Sequence, residues 1–69
     1  MKIKVNGSEQ EYSKVEIGLI ELLHANKVAK PELVSVQLNG NFVNHDLYTQ
    51  TSLKENDEVD FLYFMGGGQ

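Results

Sequence analysis

The dipeptide Asn39-Gly40 constrains this chain more than any other feature. Asparagine and glycine both tolerate positive φ, which a two-residue type I′ turn demands at its central positions, and the twist of that turn matches the twist of paired strands. Before it, Leu33-Val34-Ser35-Val36-Gln37-Leu38 alternates, with Val34, Val36 and Leu38 on one face; after it, Asn41-Phe42-Val43 returns. The pattern predicts a hairpin, and residues 34–38 are the best candidate for a central strand. A second turn signal, Asn6-Gly7-Ser8, separates Lys2-Ile3-Lys4-Val5 from the polar Glu9-Gln10-Glu11-Tyr12. Ile3 and Val5 share one face there and the lysines the other, so residues 1–12 read as another hairpin.

Between the hairpins the period changes. Ser13-Lys14-Val15-Glu16 has the form of a capping box, in which a hydroxyl accepts from the amide three residues on and the glutamate reaches back. From Glu16 to about Asn26, Ile17, Leu19, Ile20, Leu22 and Leu23 fall at helical spacing. Gly18 weakens the first turn by roughly 1 kcal/mol relative to alanine, which blurs the start. His24, Asn26 and Lys27 lie near the end, where a cation suits the helix dipole. Lys30-Pro31-Glu32 then breaks the pattern, because proline lacks an amide proton. Residues 44–51 carry no sustained period and read as a turn of helix or an ordered loop anchored by Leu47 and Tyr48. Residues 53–57 make a short extended piece and a polar turn that feed the last strand, Glu58 to Met65. Alternation puts Val59, Phe61 and Tyr63 toward the core and Asp60, Leu62 and Phe64 on the other side. Leu62 and Phe64 are therefore expected to form an exposed apolar pair, and such clusters mark interaction surfaces.

The chain changes from that strand into Gly66-Gly67-Gly68-Gln69 without a linker. Glycines contribute no packing and lose the most entropy when ordered, so the run is a poor way to finish a fold. It suits a thin, flexible arm that enters a narrow channel, and four extended residues reach about 13 to 14 Å. Residues 1–65 are expected to form one domain and 66–69 its flexible C-terminal tail.

Composition narrows the classes. At 69 residues with 41% hydrophobic content, one small core is expected. There are no cysteines, which excludes a disulfide framework, a thiolate zinc site and a cysteine nucleophile. Ten acids against six bases give a net charge of −4, which argues against nucleic acid and suits a partner with a basic face. No signal-peptide pattern is read and no apolar run approaches the roughly 20 residues of a membrane span, so the expected compartment is the cytoplasm, with no membrane partner. His24 and His45 lack metal-ligand spacing and read as surface histidines, and no metal is expected. Ser13 and Thr51 lack a companion base, which counts against hydrolase chemistry. Glu55, Asp57, Glu58 and Asp60 read either as a solvated turn or as a docking patch for a basic partner.

The order strand, strand, helix, strand, short strand, last strand, glycine tail resembles the ubiquitin-like β-grasp fold, an α+β class with a mixed four- to five-stranded sheet packed on one main helix. Within that fold the chain resembles the ThiS/MoaD family of sulfur carriers along its whole length. The likeness rests on the Lys2-to-Asn6 opening with its Asn-Gly turn, Ile20-Glu21-Leu22-Leu23, Val36-Gln37-Leu38-Asn39-Gly40, residues 53–59 and the Met65-Gly-Gly-Gly ending. The resemblance implies a protein cosubstrate without catalytic residues of its own and with no bound cofactor. An E1-like adenylyltransferase, ThiF-like, would activate its terminal glycine carboxylate with ATP and magnesium. Sulfur from a cysteine desulfurase would convert it to a thiocarboxylate, and a ThiG-like thiazole synthase would receive the sulfur for thiamine.

Gln69 departs from the family's Gly-Gly ending. Gly67 and Gly68 match the final pair, so Gln69 is expected to be removed, by a processing protease, to free the sulfur-carrying terminus Gly68. Carriers for molybdopterin or for cysteine and homocysteine share these features. So do, in part, a ubiquitin-like modifier that joins Gly68 to target lysines and a plain interaction module whose tail does no chemistry.

Overall fold

The computed structural model describes residues 1–63, with the main chain alone for Tyr63. Phe64, the boundary after residue 65 and the tail at Gly66, Gly67, Gly68 and Gln69 lie outside the described residues. The elements run β1 (Lys2–Val5), β2 (Ser8–Glu11), β3 (Glu16–Gly18), α1 (Leu19–Ala25), β4 (Val34–Leu38), β5 (Asn41–Phe42), β6 (Ser52–Lys54) and β7 (Glu58–Tyr63). Short 3-10 turns lie at Pro31–Leu33 and His45–Gln50.

Both Asn-Gly dipeptides make the turns expected of them. Val5 pairs with Ser8 and Leu38 with Asn41, which leaves two-residue loops. Their φ values are 50° and 87° at Asn6 and Gly7, and 52° and 88° at Asn39 and Gly40, the type I′ signature. The two hairpins are joined through β7, which lies parallel to β1 and antiparallel to β4, giving the order β2-β1-β7-β4-β5. A mixed five-stranded sheet against one helix is the β-grasp arrangement. The middle of the sheet belongs to β7, with β4 beside it.

The helix starts later than the capping-box pattern suggests. Glu16–Gly18 is a strand, paired antiparallel with β6 so that Ile17 faces Leu53, and both side chains are buried. Gly18 sits at the N-cap position in an extended conformation, and no side chain caps the helix. The Leu19 amide donates instead to Thr51 O at 2.8 Å, so a non-local main-chain bond does the work of a cap. Glu16 uses its carboxylate to accept from the Ser52 hydroxyl at 2.6 Å. Pairing with β6 outweighs the local helical pattern, and the helix keeps only Leu19, Leu22 and Leu23 as fully buried residues.

The helix ends in a Schellman motif built without glycine. Lys27 takes φ 69°, its amide donates to His24 O at 3.0 Å, and the Val28 amide donates to Leu23 O at 2.9 Å. Burial of Val28 in the core beside this turn supplies the apolar contact that accompanies such ends. Asn26 adds a side-chain bond to Leu22 O and exchanges amide hydrogen bonds with Gln10, which ties the helix end to β2.

Tyr48 anchors the second 3-10 turn, at 3% exposure, while Leu47 stands 47% exposed and does not share that role. The Tyr48 hydroxyl donates to Val34 O at 2.8 Å. Burial raises the phenol above its usual pKa, so the group stays in its donating form. His45 stacks on the Tyr48 ring, centroids 4.7 Å apart, and its Nε2 lies 3.0 Å from the same carbonyl. Val34 pairs with Tyr63, so this clamp holds β4 where β7 ends its described course.

Candidate functional site

The site is assembled on the outer face of β7, β4 and β5. Side chains alternate along a strand, so Val59 and Phe61 turn toward the helix and Asp60 and Leu62 turn away. Val59 is fully buried and Leu62 is 62% exposed. In the register of the sheet, Ser35 stands opposite Leu62, and Gln37 stands opposite both Asp60 and Phe42. Phe42 is 76% exposed. These residues, with Phe61, line one shallow groove of about 450 Å³. Two large apolar side chains therefore share a face whose other members are Ser35, Gln37 and Asp60.

Leu62 stands where alternation places it, whereas its expected partner Phe64 lies outside the described residues. Phe42 takes a place in the groove that the reading of the sequence did not give it. The signal was present. A two-residue turn at Asn39-Gly40 fixes Phe42 opposite Gln37, and Gln37 lies on the polar face of an alternating strand.

The acidic cluster divides by task. Asp57 accepts from the Lys54 amide at 3.0 Å and from the Asn39 side chain at 3.1 Å, and Glu55 accepts from the Lys2 amide at 3.1 Å. Both serve the turns around β7. Glu58 and Asp60 are on the strand itself, Asp60 on the wall of the apolar groove. A cationic rim on a partner would meet that carboxylate beside the apolar contact.

The described residues hold no cluster of three His, Cys, Asp or Glu able to bind a metal ion. His24 and His45 are both exposed, and His45 is occupied with Val34 O. Thr51 donates its hydroxyl to Leu47 O at 2.7 Å and so closes a local turn. No helix among the described residues is long and apolar enough to cross a membrane.

The sequence model of the ThiS family matches residues 3–68. This chain belongs to the ThiS family. Among solved structures, it is similar to the crystal structure of the thiamine biosynthesis protein ThiS from Geobacter metallireducens. The identity there is 42%, over 99% of this chain and 100% of that one, with a TM-score of 0.82. The solution NMR structure of a thiamine biosynthesis protein from Geobacter metallireducens matches at 41% identity, over 100% of this chain and 90% of that one, with a TM-score of 0.81. No curated protein gives a significant match. The β-grasp sheet of this ThiS-family chain thus agrees with experimentally solved folds along nearly its full length.

Proposed function

We propose that this chain is a sulfur carrier of thiamine biosynthesis that bears its sulfur on Gly68 once the Gly68–Gln69 bond has been cleaved. The observation that carries the reading is the extent of the family match, which runs through Gly66, Gly67 and Gly68 and stops before Gln69. Names of both solved relatives favour the thiamine branch over the molybdopterin and cysteine branches.

The chemistry requires a free glycine terminus. Hydrolysis gives Gly68 its carboxylate and Gln69 its amine. An E1-like adenylyltransferase then joins that carboxylate to the α-phosphate of ATP, with magnesium, and pyrophosphate leaves. The mixed anhydride is an electrophile that the bare carboxylate is not. A persulfide derived from a cysteine desulfurase attacks the carbonyl and displaces AMP, and a thiol then cleaves the S–S bond of the resulting acyl disulfide, forming a new disulfide and freeing the thiocarboxylate for a thiazole synthase. A β-carbon beside the reacting carbonyl would crowd both the channel and the incoming sulfur, which is why the arm is glycine. Throughout, the chain is a cosubstrate. Its own work is to dock through the Phe42 and Leu62 groove and to present the arm.

The test is a stop codon in place of Gln69. The chain ending at Gly68 supports ATP–pyrophosphate exchange by the adenylyltransferase of its own host, while the chain retaining Gln69 supports none until it is trimmed. Equal exchange by both chains, or by neither, contradicts the proposal.

A further inference from the structure

We infer that Asn6 is a positioning residue for the reactive arm, its side-chain oxygen completing the parallel ladder at Phe61 and so holding the described end of the strand from which the arm continues. The inference rests on the carrier reading above, because only there does the arm's point of departure matter.

The ladder between β1 and β7 is short. Lys4 N–H donates to Asp57 O at 3.0 Å and Asn6 N–H donates to Val59 O at 2.9 Å. The next rung of a regular parallel ladder would run from Phe61 N–H to the main-chain carbonyl of Asn6. That rung is unavailable, because Asn6 has entered the left-handed region at φ 50° to begin the turn into β2. Its side chain stands in, and Phe61 N–H donates to Asn6 Oδ1 at 2.8 Å. β4 has no way to satisfy this amide. Successive residues of a strand direct their polar groups to opposite sides, and Phe61 follows Val59 by two, so both face β1.

Residue type matters here for two separate reasons. The position needs an amino acid tolerant of positive φ, and it needs an acceptor one carbon beyond Cβ. Asparagine and aspartate meet both demands and glycine meets only the first. The other turn uses the same device at the opposite end of the strand. Asn39 Oδ1 accepts from Glu58 N–H at 2.9 Å, so each type I′ asparagine reaches across to β7. Asn39 holds the strand where it enters the sheet, and Asn6 holds it near the end of its described course.

Without the Asn6 bond, the described end of β7 from Asp60 onward is held by β4 alone. More of the chain must then be ordered each time the terminus is placed against ATP. Leu62 and Asp60 stay paired with Ser35 and Gln37 of β4, which keeps the docking face in place, so the loss falls mainly on turnover.

Asn6→Gly keeps the turn and deletes the acceptor; Asn6→Asp keeps both. In the full chain, the Phe61 amide of Asn6→Gly exchanges with deuterium at least about fivefold faster, the equivalent of one ordinary hydrogen bond, while the Val43 amide, which donates to Val36 O, is unchanged. In the chain ending at Gly68, the same variant lowers kcat for pyrophosphate exchange by about fivefold with KM within about twofold of the parent, and Asn6→Asp restores it. Unchanged Phe61 exchange overturns the inference. So does an unaltered kcat, a loss confined to KM, or a failure of aspartate to rescue. If the parent chain itself supports no pyrophosphate exchange, the carrier reading falls and takes this inference with it, whereas a normal parent with an equally active Asn6→Gly removes the inference alone.

Discussion

Replacing Phe42 and Leu62 together by threonine raises the KM of the chain ending at Gly68 for its adenylyltransferase by at least about thirtyfold, the effect of losing some 2 kcal/mol from the centre of an interface. Threonine is chosen because it is at home in strands, so the sheet survives the exchange. At 76% and 62% exposure the two side chains contribute little to the core, and the melting temperature moves by only a few degrees. In the proposed docking each would contribute the burial of an apolar side chain, and because they lie in one groove a partner seated there would cover both at once. Val15→Thr is the control. Val15 is 88% exposed yet lies outside the groove, and its replacement leaves KM unaltered. A double variant with normal KM removes the groove from the docking account, while a double variant that no longer folds is recognised by its lost melting transition and is replaced by the two single variants.

Leu22→Ala produces the largest loss of stability. Leu22 is fully buried in the middle of α1, the only α-helix among the described residues, and truncating such a leucine costs about 2 to 5 kcal/mol through lost transfer energy and the cavity left behind. A domain of this size has roughly 3 to 10 kcal/mol in total. Each kcal/mol corresponds to about 4 to 8 °C in melting temperature for so small a domain, so the variant melts at least about 10 °C lower. Thermal unfolding followed by circular dichroism reads this directly. A shift of under about 3 °C would mean that the helix is not seated on the sheet as described.

Short-range chemistry was the legible part of this fold. Type I′ geometry is encoded in two residues, so both hairpins followed from Asn6-Gly7 and Asn39-Gly40, although Ser8, expected in the first turn, is the first residue of β2 and pairs with Val5. Alternation placed Leu62 on the outer face of β7. The start of the helix was not legible in the same way. Ile17 fits a helical stripe by spacing, but it also alternates with Leu19, and only the approach of β6, remote in sequence, decides for the strand. The same non-local cause explains why the first helical amide needs no side-chain cap. The exposure of Phe42 is legible only when the alternation of β4 is carried across the turn into β5, where Phe42 stands opposite Gln37. The place of β7 in the middle of the sheet depends on a parallel pairing with β1 that no local pattern announces. Glu55 and Asp57 looked like one patch with Glu58 and Asp60, and hydrogen bonds to Lys2 and Lys54 separate them.

The measurement that bears most directly on the carrier role is the intact mass of this chain recovered from its own host during thiamine synthesis. The account predicts a species ending at Gly68, together with a fraction heavier by the difference between sulfur and oxygen. A population that retains Gln69 throughout, with no sulfur-bearing fraction, would contradict it.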